Sequence, residues 1–492
     1  MRALLISPCY PDTFWSFRHA LRLVRKQAAF PPLGLLTVAA LLPQDWDVRL
    51  IDLNAGTLRD ADLAWADSVW IGGMTVQATS AEQVIERCRA AGVTTIVGGP
   101  MATCEPGRFA RADHLVLNEA ETTLPEFLAD FQPGVARRVY ENPRKPDLTS
   151  SPAPRWDLLD WRRYYSMSVQ FGRGCPFDCD FCNVTSLFGR SPRVKTAAQS
   201  IAELDTLYRR GWRGPVFYVD DNLIGNKRGV RELLAALIEW RRGKTGVPLQ
   251  TQASINLADS AELQNLMTQA GFDTVFVGIE TPSEDSLREC SKKQNLRRDL
   301  AADVRKLQRA GLEVQAGFIL GFDSDTPSIF RRQIEFIQRC GIVTAMVGLL
   351  QAPLGTRLHT RLRGAGRLLG EMSGDNVDGS TNVATRIPIE ELKAGYRYVM
   401  SELYAPKRYL QRLMTVLREY RVRGGMPRLD LPRTAAFVRS LWSLGVRDPA
   451  RWHYWRLLAW TILRRPRSLA RAVSLWIHGY HFRETCRLRL ST

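Results

Sequence analysis

The sequence predicts an α/β protein in three parts: a doubly wound domain, a partial barrel of β/α units, and a helical, basic C-terminal domain. Three observations predict it. Short apolar runs alternate with helix-like stretches over residues 1 to about 130, the alternation restarts with a longer repeat near Ser166, and it stops beyond Gly374. With 492 residues, 45% hydrophobic and 24% charged, the composition is that of an ordinary globular chain, which excludes disorder, collagen and low complexity. The formal net charge of +18 points to an acidic partner: nucleic acid, a phosphate-bearing ligand or an anionic membrane.

In the first part, Ala3–Ser7, Val48–Asp52, Ser68–Gly72, Thr94–Val97 and His114–Leu117 read as short buried strands, with helices such as Leu33–Leu42 and Ser80–Ala91 between them. Strands alternating with helices imply a parallel sheet wound on both faces, a Rossmann-like layout over residues 1–135. Such a sheet binds its ligand at the carboxyl ends of its strands. Gly72, Gly73 and Thr75 follow one strand and Gly98, Gly99 and Pro100 the next, although tight βα turns also call for glycines there. The first strand is not followed by Gly-x-Gly-x-x-Gly, which argues against a dinucleotide site. Residues 136–164, rich in Pro, Ser and charge, read as a linker.

From 165 to 373 six strand candidates follow: Ser166–Phe171, Pro215–Asp220, Leu249–Ile255, Thr274–Glu280, Glu313–Ile319 and Thr344–Leu350. Five helical stretches separate them, Ala197–Arg210, Gly229–Arg242, Ser260–Ala270, Arg298–Gly311 and Pro327–Cys340. Six consecutive β/α units suggest a barrel, whose chemistry sits at the carboxyl ends of the strands. Polar residues stand at those ends: Asp220, Asp221 and Asn222 close the second strand, Ser254 and Asn256 the third, Glu280 the fourth, Gly321 the fifth and Gln351 the sixth. A purely structural barrel needs turn residues there, and the row of acids and amides favours an active site.

The first strand is followed by Cys175, Cys179 and Cys182. Thiolates so spaced can wrap a soft metal centre. Zinc usually takes four ligands in paired halves, and neither a second half nor a nearby histidine is present. An iron–sulfur cubane also normally takes four cysteines, so three imply a cluster with one iron open to an external ligand. The remaining cysteines, Cys9, Cys88, Cys104, Cys290, Cys340 and Cys486, are scattered and read as small hydrophobes.

C-x-x-x-C-x-x-C after the first strand of a (β/α)6 TIM-type partial barrel resembles the radical S-adenosylmethionine (SAM) superfamily. The resemblance implies that Cys175, Cys179 and Cys182 ligate a 4Fe-4S cluster whose open iron chelates SAM, and that Phe181 sits near the adenine. It also makes Asp220, Asp221 and Asn222 the counterpart of the motif holding the SAM amino group. Ser254 and Glu280 would face ribose and carboxylate, and Gly317 and Gly321 would lie on the strand backing the adenine. A doubly wound domain ahead of such a barrel resembles the cobalamin-binding domain of cobalamin-dependent radical SAM enzymes. That likeness assigns Gly72, Gly73, Thr75, Gly98, Gly99 and Pro100 to cobalamin. The chain departs from many cobalamin domains in lacking Asp-x-His-x-x-Gly, and Asn118-Glu119-Ala120-Glu121 stands where relatives often show Gly-Glu-Gly-Glu. The family's chemistry implies that one SAM methylates cobalamin while a second supplies a 5′-deoxyadenosyl radical, with cobalt and cluster facing one cavity.

The charge sits elsewhere. From Ser401 to Thr492 there are 19 Lys+Arg against 5 Asp+Glu, a net of +14 that leaves +4 for the first 400 residues. This tail, the end of a domain beginning at 374, reads as helices over Ile389–Leu403, Lys407–Glu419, Pro432–Leu444, Trp452–Leu463 and Arg467–Tyr480. Five of the chain's 13 tryptophans lie in it beside arginines, and its last helix carries an apolar stripe (Leu469, Val473, Trp476, Tyr480) against a polar one (Arg467, Arg471, Ser474, His478). Either the tail is an appendage outside both catalytic domains that touches a membrane surface, or its tryptophans pack on the barrel. Nucleic acid is the other partner this charge allows, but the radical SAM enzymes that methylthiolate transfer RNA carry a different amino-terminal domain and a small β-barrel for RNA, whereas this tail reads as wholly helical, so nucleic acid is not expected. No apolar run approaches the ~18–20 residues that span a bilayer and the amino terminus lacks a signal-peptide pattern, so a cytoplasmic protein, peripheral at the inner membrane surface, is expected.

The layout most resembles the enzymes that methylate hopanoid lipids. It implies a methyltransferase acting on an sp3 carbon of a hydrophobic or lipid-like substrate, with a flavodoxin or ferredoxin as electron donor. The alternatives are a cobalamin-binding radical SAM enzyme that rearranges or cyclises carbon, and a non-catalytic iron–sulfur redox or sensor protein.

Overall fold

The computed structural model describes residues 1–421 and 431–490, so residues 422–430 and 491–492 of the expected tail domain lie outside the described residues. In the amino-terminal part, β1 (Arg2–Ser7), β2 (Asp47–Asp52), β3 (Ser68–Gly72), β4 (Thr94–Gly98), β5 (His114–Asn118) and β6 (Val139–Asn142) form one parallel sheet. Its strand order is β2-β1-β3-β4-β5-β6. Along β1 the side chains alternate between two cores. Leu4 and Ile6 pack with Val84, Ile85 and Met101 on one face, while Ala3 and Leu5 pack with Leu35, Ala39 and Phe127 on the other. Burial on both faces is why the central strands read as continuous apolar runs. The chain reverses direction across the sheet between β1 and β3, which opens a crevice at the carboxyl ends of these strands.

One expectation fails here. The supposed linker at 136–164 contains β6, which pairs in parallel with β5 from Leu115↔Val139 to Asn118↔Asn142. The sheet therefore extends past residue 135.

In the second part, β7 (Met167–Val169), β8 (Gly172–Arg173), β9 (Arg193–Val194), β10 (Val216–Tyr218), β11 (Leu249–Gln252), β12 (Phe272–Glu280), β13 (Glu313–Leu320) and β14 (Ala345–Leu349) follow in order. Six of them make a parallel sheet, β14-β13-β12-β11-β10-β7, and β8 pairs antiparallel with β9. The edge strands β7 and β14 do not meet, so the barrel stays open. Beside β7, the amides of Tyr165 and Ser166 donate to the carbonyls of Ala28 and Ala29 at 3.0 Å. Beside β14, the Tyr404 hydroxyl donates to the Ala345 carbonyl at 2.6 Å.

The tail is no appendage. Its helices Ile389–Tyr404, Pro406–Glu419, Arg451–Arg464 and Leu469–Leu490 share one continuous core with the barrel. The last helix stacks Phe482 on Phe14 of the amino-terminal domain, with ring centroids 3.9 Å apart. On the same helix Arg471 reaches into the barrel, donating to Asp273 at 2.6 Å and to Glu313 at 2.8 Å. Trp476, on the apolar stripe that either a membrane or protein packing would explain, is buried against Tyr409 and Tyr454. No helix among the described residues is long and apolar enough to cross a membrane.

Candidate functional site

The cysteine loop hangs between β8 and β9. Gly174, with φ +94°, opens it, and a Cβ there would meet the Gly189 carbonyl at 2.9 Å, so the turn needs glycine. Two carboxylates frame the loop. Asp220 accepts from the amides of Phe171, at 3.1 Å, and Gly172, and Asp221 accepts from the Gly174 amide at 2.8 Å. Burial pushes these carboxyls up, to about 7 for Asp220 and about 6 for Asp221. Both Asp220 oxygens accept from the backbone of the loop, so this side chain braces the cysteine loop.

Asn222 stays in the site. Its Nδ2 donates to Ser254 Oγ at 3.1 Å and lies 3.9 Å from Cys175 Sγ, and Ser254 Oγ donates to Asn256 Oδ1 at 2.6 Å. Gln294, which sequence reasoning missed, places Nε2 at 3.7 Å from Cys179 Sγ. Burial raises all three thiols, Cys182 to about 12; the Cys179 thiolate pushes Cys175 and Cys182 up further, and Glu280 and Asp178 do the same for Cys179. Lys292, also missed, is the cation that opposes this at each thiol. Its Nζ donates to Glu280 at 2.6 Å and sits 6.0 Å from the Phe181 ring, so Glu280 already holds a cation. Burial pulls the Lys292 ammonium down, but Glu280 and the thiolates outweigh it and the pKa is raised. No local sequence pattern could have found Lys292 or Gln294, since both reach the loop from across the barrel. Gly317 lies against Phe276 and Met346, and Gly321, with φ +103°, lies against Leu392 and Thr385.

A cavity of about 2680 Å³ lies between the two sheets. Gly72, Gly73, Thr75, Gly98, Gly99 and Pro100 all line it from the amino-terminal domain, and Gln170, Phe276 and Met346 from the barrel. Gly99, with φ +80°, brings its backbone against Gly73, where a Cβ would sit 3.5 Å from the Gly73 nitrogen and oxygen. Asn183, next to Cys182, lines the cavity together with Asp221 and Arg173, whereas Cys175, Cys179, Cys182, Phe181, Asn222, Ser254 and Glu280 lie outside the lining. The two halves are joined by a clasp: Arg173 of β8 donates to Glu119 at 2.8 Å and to Glu121 at 2.8 Å, and Arg193 of β9 to Glu119 at 2.8 Å.

Comparison with known proteins matches residues 21–128 to the B12 binding domain, 169–337 to the radical SAM superfamily, and 356–491 to a domain of unknown function, DUF4070. The chain is 41% identical to the uncharacterized methyltransferase sll1242 of Synechocystis sp., covering 98% of this chain and 91% of that one. It is 33% identical to the hopanoid C-2 methylase of Rhodopseudomonas palustris, over 94% of this chain and 90% of that one. The chain belongs to the cobalamin-dependent radical SAM methyltransferases. Among solved structures, this methyltransferase shares its fold with TsrM from Kitasatospora setae, with cobalamin and [4Fe-4S] cluster bound (TM-score 0.61, 15% identity, 74% of this chain and 78% of that one).

The family's cofactors are a 4Fe-4S cluster, SAM and cobalamin, as the sequence implied. The residues fit them. On the cluster side three clustered thiols stand with an amide donor beside two of them and a buried cation. Among the described residues no three His, Cys, Asp or Glu side chains converge as ligands of a single metal ion. On the cobalamin side, Asn118 at the end of β5 lines the cavity with its buried Nδ2 unpartnered. The Lys292→Met variant should lower the midpoint potential of the reconstituted cluster on the order of 60 mV, a tenfold change in a one-electron equilibrium, because a nearby cation favours the more negative reduced state. Potentiometric titration followed by electron paramagnetic resonance reads this shift.

Proposed function

We propose that this methyltransferase methylates an unactivated sp3 carbon of a hydrophobic, lipid-like substrate held in the cavity between its two sheets. The cavity carries the reading. At about 2680 Å³ it exceeds the ~300–1,000 Å³ of an ordinary small-molecule pocket, which suits a large cofactor and a bulky substrate together. Trp15, Phe17, Phe217, Phe276 and Met346 give it apolar walls. The 33% identity with a hopanoid C-2 methylase supports the substrate class.

When bound, the cluster with SAM supplies radical chemistry at unactivated C–H bonds, and cobalamin supplies methyl transfer. The chain's own residues bind and position. Cys175, Cys179 and Cys182 hold the cluster, Asn222 and Gln294 donate to its sulfur ligands, and Asn222 with Ser254 presents a polar edge to SAM beside Phe181. Asp221 fixes the loop, Lys292 and Glu280 set the charge beside the thiols, and Gly317 leaves room in the barrel lumen. Gly72, Gly73, Thr75, Gly98, Gly99 and Pro100 let the amino-terminal backbone approach the corrinoid closely. A flavodoxin or ferredoxin supplies the electron, and the substrate class makes peripheral contact with the inner membrane surface part of this reading.

The test is anaerobic turnover of holoprotein purified with hydroxocobalamin, using SAM bearing a deuterated methyl group and a detergent-dispersed bacterial lipid extract. A lipid product gaining the labelled methyl, with 5′-deoxyadenosine released, is expected. Protein that retains no corrinoid, or 5′-deoxyadenosine formed with only rearranged or cyclised product, would overturn the proposal.

A further inference from the structure

We infer that the outer face of the C-terminal helices docks on an anionic lipid bilayer and turns the mouth of the cavity toward it. The delivery of substrate through that mouth rests on the lipid-like substrate proposed above; the docking itself does not.

The tail has two faces with opposite characters. Its inner face is packed, as Trp476 and Arg471 show. Its outer face, on the helices Leu431–Trp442 and Arg451–Arg464 and the turn between them, exposes large apolar side chains. Leu463 is 80% exposed, Trp452 72%, Trp442 56% and Ile462 54%, with Val438, Val446 and Trp455 also open. Isolated exposed apolar residues need no explanation, but seven on two consecutive helices form a patch of the kind that marks an interaction site.

The charge around the patch names the occupant. Residues 431–467 hold eight arginines and one acid, Asp448, which pairs with Arg483. Arg447 lies over the Trp442 ring at 5.3 Å and Arg451 over the Trp452 ring at 5.9 Å, so cation and aromatic share one surface. Tryptophan prefers the headgroup level of a bilayer, and arginine is drawn to anionic headgroups. Helices with this pattern lie in the interface rather than span it. A hydrophobic partner protein would not need so one-sided a charge, and a second copy of the chain would bring +18 against +18.

The position of the patch gives it a purpose. Thr434, Phe437 and Arg467, on the same helices or at their ends, line the cavity. An apolar molecule leaving the bilayer at Val438 or Leu463 would be within a few residues of this stretch of the cavity wall.

Sedimentation of the full chain with vesicles tests the inference. Binding is expected to vesicles of mixed phosphatidylcholine and phosphatidylglycerol, weakened about tenfold or more when salt rises from about 0.1 M to about 0.5 M, since screening shortens the reach of surface charge. The Trp452→Ser/Leu463→Ser double variant should lose binding about tenfold or more, as interfacial affinity scales with buried apolar area, while its melting curve stays that of the parent. The exposed Val135→Ser variant, far along the chain, should bind as the parent does. Absence of parent binding to anionic vesicles would overturn the inference. So would double-variant binding equal to the parent's, or a concentration-dependent dimer that the double variant abolishes. No substrate enters this assay. A chain that methylates detergent-dispersed lipid yet ignores vesicles sinks the docking alone, and a chain that docks yet methylates no lipid sinks the substrate reading alone.

Discussion

Cys179→Ala should yield a folded protein that, after anaerobic reconstitution, binds far less iron than the parent and shows no spectral response to SAM. Cys179 is buried, with Gln294 Nε2 at 3.7 Å from its sulfur and the Lys292 cation opposing the burial that raises its thiol. Its removal leaves two thiolates where a cluster needs three. Losing an outer-shell partner of a metal ligand already costs about 10–100-fold in affinity or activity, so loss of the ligand should cost turnover more than about 100-fold. Removal of one sulfur from this loop is mild for the fold, since burial of a single small side chain is at stake. Cys290 provides the control. It too is buried and feels the charge of Cys179, and its carbonyl accepts from the Asp180 amide at 3.0 Å, but it stands outside the C-x-x-x-C-x-x-C pattern. Cys290→Ala should keep the cluster. Full iron content in Cys179→Ala would end the cluster assignment, and loss of iron in Cys290→Ala would show the ligand set to be wrong.

The two variants also mark where sequence reasoning reached and where it stopped. Periodicity and turn chemistry are local, and they located all six barrel strands, the helices between them and four of the five tail helices to within a few residues, while the last helix, expected to end at Tyr480, runs on to Leu490. The cysteine loop and the glycine turns announced themselves through spacing. β6 escaped because Val139–Asn142 is a four-residue edge strand among Pro, Gly and charged residues, and only its pairing with β5 identifies it. Lys292 and Gln294 escaped because the Cys179 thiol they approach lies far along the chain. The tail shows the same limit differently. A stripe of Leu469, Val473 and Trp476 is amphipathic whether it meets lipid or protein, and only Tyr409 and Tyr454 decide that it meets protein. Asn118-Glu119-Ala120-Glu121 was visible as a departure from a pattern, but its use depends on two arginines that flank the cysteine loop.

Those arginines carry the second large effect. Arg173→Ala should destabilise the holoprotein by about 3–5 kcal/mol at neutral pH, the usual cost of removing one partner from a buried ion pair. Glu119 and Glu121 are almost wholly buried, and Arg173 bridges both at 2.8 Å. Arg193 still reaches Glu119 in the variant, but Glu121 loses its cation and keeps the Ser151 hydroxyl at 2.8 Å and a backbone amide. In the intact protein burial raises the Glu121 carboxyl, yet Arg173 outweighs it and holds it at about 2 against an ordinary 4.5, equivalent to about 3 kcal/mol. A carboxyl depressed by folding stabilises above its unfolded pKa. That contribution fades as pH falls below about 4.5 and is gone by about 2. In the variant no cation offsets the burial of Glu121, which then takes up a proton more readily in the folded state, so the gap between parent and variant should narrow as pH falls from 7 toward about 3. Denaturant midpoints measured along that series read the gap, and one that stays constant with pH would show that Arg173 acts through packing alone. Adding Glu121→Gln should restore part of the loss, because it removes the stranded charge, and the double-mutant cycle isolates the pair. Iron retention gives the functional reading. β8 and β9 bracket the cysteines, so a clasp that ties them to the end of β5 holds the cluster loop and the cobalamin-side crevice in one register, and its loss should loosen iron even where the protein remains folded.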